Sequence, residues 1–272
     1  MHRAGDGRLD VQVVSGQSAA IRIRALSPLK ILTPKPRGPS VWAYTSGLGG
    51  GYVAGDQTHL HVRIGDGACC FLGTQASTKI YRNPAGRPCR HELRATVGFN
   101  ATLVLAPDPV QCFAESIYEQ RQRIELAPNS GLVLVDWLSS GRAARGERWN
   151  FSCYRSRIDV YRDNTLALVD SVCLDPQDGV LADSARMGRF NCLALVLLMG
   201  EPMRAPVEQL LAEVAALPIT RRGDFVCSAS PVRHGALLRL AGTSVEQVGR
   251  EISQRLGFVA ALLGDDPWAR KW

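Results

Sequence analysis

At 272 residues, with 46% hydrophobic and 21% charged side chains, the chain is long enough to bury a large core, as one β-rich domain or two smaller ones. Its net charge of +7 is spread over scattered arginines and four lysines with no run of five basic residues, which excludes the concentrated charge of a nucleic-acid binder and fits a solvated surface with room for an acidic partner. The polar start MHRAGDGRLD has no signal-peptide core, and the longest apolar run, Cys192 to Met199, is too short to span a bilayer, so a cytoplasmic protein without membrane contact is expected.

In chain order, LDVQVV and AAIRIRAL predict two strands between Leu9 and Leu26, joined at Ser15-Gly16-Gln17-Ser18, with Val11, Val13, Val14, Ile21 and Ile23 as their apolar positions. Pro28, Pro34, Pro36 and Pro39 keep the next stretch extended around a short strand, Leu29 to Leu32. Another strand starts at Trp42 and runs into a glycine cluster, Gly47, Gly49, Gly50, Gly51 and Gly55, followed by Asp56. Gln57 to Ile64 alternates cleanly: Thr58, Leu60, Val62 and Ile64 face one way, Gln57, His59, His61 and Arg63 the other. His59 and His61 then stand about 7 Å apart on one face, a spacing compatible with a metal but commoner on a solvated strand.

Tight turns are read at Gly65-Asp66-Gly67 and Asn83-Pro84-Ala85-Gly86, with strands at Cys89 to Val97 and Ala101 to Leu105. Ser116 to Leu126 and Leu132 to Leu138 read as a hairpin around Pro128-Asn129-Ser130-Gly131, and Trp149 to Tyr161 with Thr165 to Leu174 as another, turning at Asp163-Asn164. The last third changes character. Leu210, Leu211, Val214 and Leu217 recur at helical spacing between Pro206 and Pro218. After strands at Asp224 to Ser230 and Gly235 to Leu240, Ser244 and Gln247 form a capping box that opens a helix to Leu263. Its stripe Val245, Val248, Ile252, Leu256, Val259 and Leu263 is predicted to pack on the β core, leaving Glu246, Arg250, Gln254 and nearby Arg239 facing a partner or solvent. The expectation is a mainly β fold, one domain over residues 1–272, of about sixteen short strands in a meandering or helical-type arrangement with two late helices.

Eight cysteines, Cys69, Cys70, Cys89, Cys112, Cys153, Cys173, Cys192 and Cys227, include no CxxC; they read as small buried hydrophobes, and Cys69 and Cys70 point to opposite faces of a strand. The glycine cluster lacks GxxxxGK[ST] and precedes a strand, so it predicts turns and close backbone approach instead of a phosphate loop. No GxSxG or HExxH occurs. Asp136, after Leu132-Val133-Leu134-Val135, and Asp170, after Leu166-Ala167-Leu168-Val169, are carboxylates in apolar strands. They call for a partner, Arg142 or Arg145 for example, or for a water-filled interior path.

Four ordered segments resemble the urease accessory protein UreD (UreH) family: Gly50-Gly51-Tyr52-Val53-Ala54-Gly55-Asp56, then Gly73-Thr74-Gln75-Ala76-Ser77-Thr78-Lys79-Ile80-Tyr81-Arg82, then Pro107-Asp108-Pro109, and Ser140-Gly141-Arg142-Ala143-Ala144-Arg145-Gly146-Glu147. The resemblance implies a mostly β fold with two helices, no catalysis, and transient nickel passing through an internal tunnel toward urease. It implies complexes with UreF, whose docking involves the C-terminal part, with the GTPase UreG, and with the urease apoprotein; GTP would sit on UreG, since this chain has no P-loop. By the same resemblance Asp56, Asp136 and Glu147 are candidate nickel-path carboxylates and Ser77 lines the path; Asp170 joins them on its strand context. Two other readings stay open: a β-rich hydrolase using Asp56 and Asp136 as an acid/base pair, and a partner-binding scaffold without a metal path.

Overall fold

A computed structural model describes residues 3–35, 38–218 and 222–269; Met1, His2 and Pro36 of the sequence reading lie outside them. The chain opens with a hairpin, β1 (Asp6–Val14) and β2 (Gln17–Ala25), turned at Ser15 and Gly16, both at positive φ. After the short β3 (Leu29–Leu32) it winds in coils. The first is β4 (Val41–Gly47), β5 (Gly51–Tyr52) and β6 (Gln57–Ile64). The second is β7 (Cys69–Thr74), β8 (Thr78–Ile80) and β9 (Cys89–Val97). The third is β10 (Thr102–Leu105), β11 (Val110–Cys112) and β12 (Ile117–Leu126). β13 (Gly131–Ser139) and β14 (Cys153–Arg162) start a fourth.

Like elements of successive coils stack in parallel. β6, β9, β12 and β14 form one ladder, β4, β7, β10 and β13 a second, and β5, β8 and β11 a narrow third side. The result is a solenoid whose two broad sheets face one another. A Cβ on Gly51 would lie 2.6 Å from the Lys79 carbonyl oxygen, so the glycine cluster lets the first coil settle on the second.

Antiparallel strands finish both sheets. β15 (Thr165–Leu174) turns back on β14 at Asp163 and Asn164, both at positive φ, as the sequence predicts. β16 (Cys192–Gly200), β17 (Phe225–Val232) and β18 (Gly235–Gly242) extend the second sheet beyond β13. The hairpin expected between Ser116 and Leu138 does not form. β12 and β13 lie in different sheets, and the turn at Asn129 (φ 57°) carries the chain across the sandwich. The reason is visible in Leu132-Val133-Leu134-Val135, every one of them buried: a strand apolar on both faces needs cover on both, which central parallel strands receive and a two-stranded hairpin does not.

Leu132, Leu134, Leu195 and Leu197 point into the space between the sheets, against Leu60, Val62, Leu93 and Ile124. Val133, Val135, Val196 and Leu198 point the other way, against helices. These are α1 (Arg204–Ala215), α2 (Val245–Arg255) and α3 (Val259–Leu263). The first begins before Val207, with Pro206 in its opening turn, and ends before the exposed Leu217. The second predicted helix is two, broken between Arg255 and Val259, yet Val248, Ile252, Leu256, Val259 and Leu263 are all buried as one stripe. Ser244 Oγ accepts the Gln247 N–H at 3.1 Å, the predicted cap.

Three further differences stand out. The described residues hold eighteen strands; the surplus comes from two- and three-residue pieces such as β5, too short to show alternation. Leu9 and Val11 are the buried large hydrophobic side chains of the first hairpin, whereas Val13, Val14, Ile21 and Ile23 are exposed. Arg239 lies on the inward face of β18 and pairs with Asp170 of β15, away from the Glu246 and Arg250 face of α2.

Ile252 at the centre of the helical stripe is 2% exposed. Ile252→Ala is expected to lower unfolding free energy by about 2–5 kcal/mol, while Arg250→Ala on the solvent face should stay within about 0.5 kcal/mol. Urea denaturation of the two variants checks this; equal losses would place the stripe off the core.

Candidate functional site

Parallel stacking sets inward side chains of the first sheet in rows. In one row Thr58 of β6 pairs with His91 of β9, His91 with Gln120 of β12, and Gln120 with Ser156 of β14. Four strands at about 4.8 Å spacing make a polar line of roughly 14 Å between apolar neighbours such as Leu60 and Leu93. The groups satisfy one another. Thr58 Oγ1 lies 2.8 Å from His91 Nδ1 and 2.6 Å from the Tyr52 hydroxyl. Facing the row from β13, Asp136 accepts from Gln120 Nε2 through Oδ1 and from Ser156 Oγ through Oδ2, both at 2.8 Å.

Two cavities lie along this line. The first, about 200 Å³, is bordered by Thr58, His91, Gln120 and Asp136, and toward the glycine loop by Asp56, Ser77 and Asp108. The second, about 380 Å³, is bordered by Asp136, Ser156, Asp170 and Arg239. Asp136 is common to both. Volumes of this size hold several water molecules each. Asp170 is buried, while the Arg239 that pairs with it is 57% exposed in its side chain, so the second cavity reaches the surface at this ion pair.

The sequence-derived candidates separate. Asp56, Ser77 and Asp136 border the first cavity, and Asp136 and Asp170 the second. Asp56 shapes its own turn, accepting the Val53 N–H at 2.9 Å. Glu147 borders neither: it receives Arg142 through two contacts and the Ala114 N–H at 3.3 Å, and Arg142 in turn stacks 4.3 Å from the Phe113 ring centre. The arginine holds the Glu147 carboxyl below its usual range. Neither Arg142 nor Arg145 partners Asp136, contrary to the ion pair considered from the sequence.

Asp136 therefore sits half-buried between the sheets, on the wall of both cavities, without a cation against it among the described residues. Burial pushes its carboxyl upward; the Ser156 and Gln120 hydrogen bonds work against that, and the neighbouring Asp170 charge adds to it. His91 is pushed down to about 4, by burial first and then by His59, so its imidazole is neutral near pH 7. His59 and His61 do share a face, but the outer one, where His59 Nδ1 meets Glu92 Oε2 at 3.3 Å. Among the described residues no group of three His, Cys, Asp or Glu side chains stands close enough to hold an ion, and the eight cysteines are free, five of them buried and only Cys173 exposed.

Thr58, His91, Gln120 and Ser156 were not singled out from the sequence. The available signal was phase: each occupies the inward position of a strand whose other inward residues are mostly apolar, as Leu93, Ala95 and Val97 are beside His91. Their alignment depends on the pairing of strands some thirty residues apart.

Because the folded state raises the Asp136 value above its ordinary 3.8, its stability contribution is fully present below that value and is lost as pH rises through the raised one. At neutral pH the carboxylate costs stability. Asp136→Asn should therefore melt higher than the parent at pH 7, with the gap closing as pH falls toward 4. A gap independent of pH would show that Asp136 does not titrate in this way.

Residues 3–272 match the family described as UreD urease accessory protein. Similar proteins include the urease accessory protein UreD of Sorangium cellulosum, 48% identical over 271 residues that cover 99% of this chain and 85% of the relative. That of Anaeromyxobacter is 44% identical over 98% of this chain and 90% of its own, and urease accessory protein D of Arabidopsis thaliana is 33% identical over 97% and 99%. By a match spanning both sheets, the helices and the polar row between them, the chain belongs to the UreD family of urease accessory proteins.

Proposed function

We propose that this protein is a non-catalytic nickel-delivery scaffold in urease maturation, acting in the cytoplasm. In this reading it joins UreF and the GTPase UreG on the urease apoprotein and lets nickel pass between its two sheets. The observation that carries the proposal is Asp136, a carboxylate without a cation partner that borders two cavities at once. Nickel is the cargo here, not a resident cofactor, and GTP belongs to UreG.

The chemistry fits passage better than storage. Hydrated Ni²⁺ moving along carboxylate, hydroxyl and amide oxygens meets ligands that hold it less firmly than a cluster of imidazoles or thiolates would. Asp56 and Ser77 border the glycine-loop end, Asp136 the junction, and Asp170 the far end. There an arriving cation competes with the Arg239 guanidinium for the Asp170 carboxylate. An ion beside Asp136 also stabilises its charged form, offsetting the burial that otherwise favours the acid. Glu147, paired with Arg142 away from both cavities, acts in this reading by holding the loop before β14.

Asp136→Ala is expected to cut urease activation about tenfold or more in a reconstitution with UreF, UreG, GTP, nickel and urease apoprotein. The variant should still co-purify with UreF and melt within a few degrees of the parent, because no buried arginine is left unpaired. Normal activation per folded molecule would overturn the path.

A further inference from the structure

The polar row contains three oxygen- or amide-bearing side chains and one imidazole. His91 stands between Thr58 and Gln120 in register, borders the first cavity, and is one strand away from the glutamine whose amide is bonded to Asp136. Its Nδ1 edge is occupied by Thr58 Oγ1, which is itself held by the Tyr52 hydroxyl. The hydrogen bonds of its ring among the described residues are made at Nδ1 and none at Nε2, whereas Gln120 Nε2 and both Asp136 oxygens are satisfied.

We propose that His91 Nε2 is a nitrogen ligand for the divalent cation in the first cavity, a stop next to Asp136, with Thr58 and Tyr52 as positioning residues that orient the ring. This rests on the reading of the cavities as a nickel path and adds a ligand of a different chemical class to it. When Nδ1–H donates to Thr58 Oγ1 and the Thr58 hydroxyl donates to the Tyr52 oxygen, the lone pair of Nε2 is free, on a ring that borders the first cavity. A histidine that binds metal through one nitrogen is ordinarily held through the other in this way. Imidazole binds Ni²⁺ more firmly than the neighbouring oxygens do, so His91 would retain the ion longest, and a single such ligand is weak enough to release it to Asp136.

The experiment uses the full chain in complex with UreF, loaded with Ni²⁺ alone, in a background with His2, His59, His61 and His234 replaced by alanine. X-ray absorption at the nickel edge should show imidazole scattering, and His91→Gln should abolish it and weaken Ni²⁺ binding about tenfold by calorimetry, with an unchanged melting temperature. Thr58→Val, which keeps the ring but frees it, should weaken binding several-fold while the imidazole signal persists. Asp136→Asn should also retain that signal. If the parent background shows no imidazole scattering, or His91→Gln binds Ni²⁺ as well as the parent does, the assignment of His91 falls. In that case an Asp136→Asn variant still impaired in urease activation leaves the path intact, whereas normal activation by Asp136→Asn removes the path along with it.

Discussion

In-register stacking of parallel coils is the constraint from which the interior follows. When strands pair without a shift, an inward position in one coil lies beside an inward position in the next, about 4.8 Å away. Val62, Ala95, Ile124 and Val160 become an apolar row, and four residues back along the strands Thr58, His91, Gln120 and Ser156 become a polar one. A one-residue slip of β9, β12 or β14 would turn its polar member outward and bring an arginine or glutamate in, and a slip of β6 would bring in Gln57 or His59. The apolar row and the buried residues around it oppose that slip, so the core fixes the geometry of the polar row.

Carboxylates on and between the sheets are treated differently. Asp159 on the outer face has Arg157 at 2.7 Å, and Asp10 has Arg8 at 2.9 Å; such half-screened pairs add little to stability. Asp170 has Arg239. Among the described residues Asp136 has only neutral donors, Gln120 and Ser156. A fold selected for stability alone would place an apolar residue or a matched pair there, since an unpaired buried charge is expensive. A neutral hydrogen-bonded frame keeps the carboxylate in position with no cationic side chain against it among the described residues.

Much of this was legible in the residues. Alternation in Gln57–Ile64 gave the faces of β6, the Asp163-Asn164 turn gave the β14–β15 hairpin, and Ser244 with Gln247 gave the start of α2, because each rests on local chemistry. The β12–β13 hairpin was misread because a turn sequence states that the chain reverses and is silent on which sheet it re-enters. The arginines look scattered along the chain, yet on the outer face of the first sheet Arg90, Glu119 and Arg155 fall in one row and His59, Glu92 and Arg121 in another. Asp136 was found through its unbroken apolar approach. His91 was not, since a histidine one residue from Arg90 and Glu92 looks solvated until the strand's phase is known.

The second sheet explains why the polar line can exist at all. A row of polar groups facing a sheet edge would simply be wet, and its members would gain nothing by pairing with one another. Here β13 is covered on its far side by α1, α2 and their flanking strands through Val133, Val135, Val196 and Val248, so it is rigid where it presents Asp136 to the row. Aromatic packing performs the same service at the third side, where Tyr118 lies between Tyr52 and Tyr154 at centroid distances of 5.9 and 6.1 Å. The low-dielectric walls strengthen each hydrogen bond of the line, while the cavities keep space beside it for water. No described helix residue borders either cavity, yet the buried helix stripe backs β13, the strand that carries Asp136.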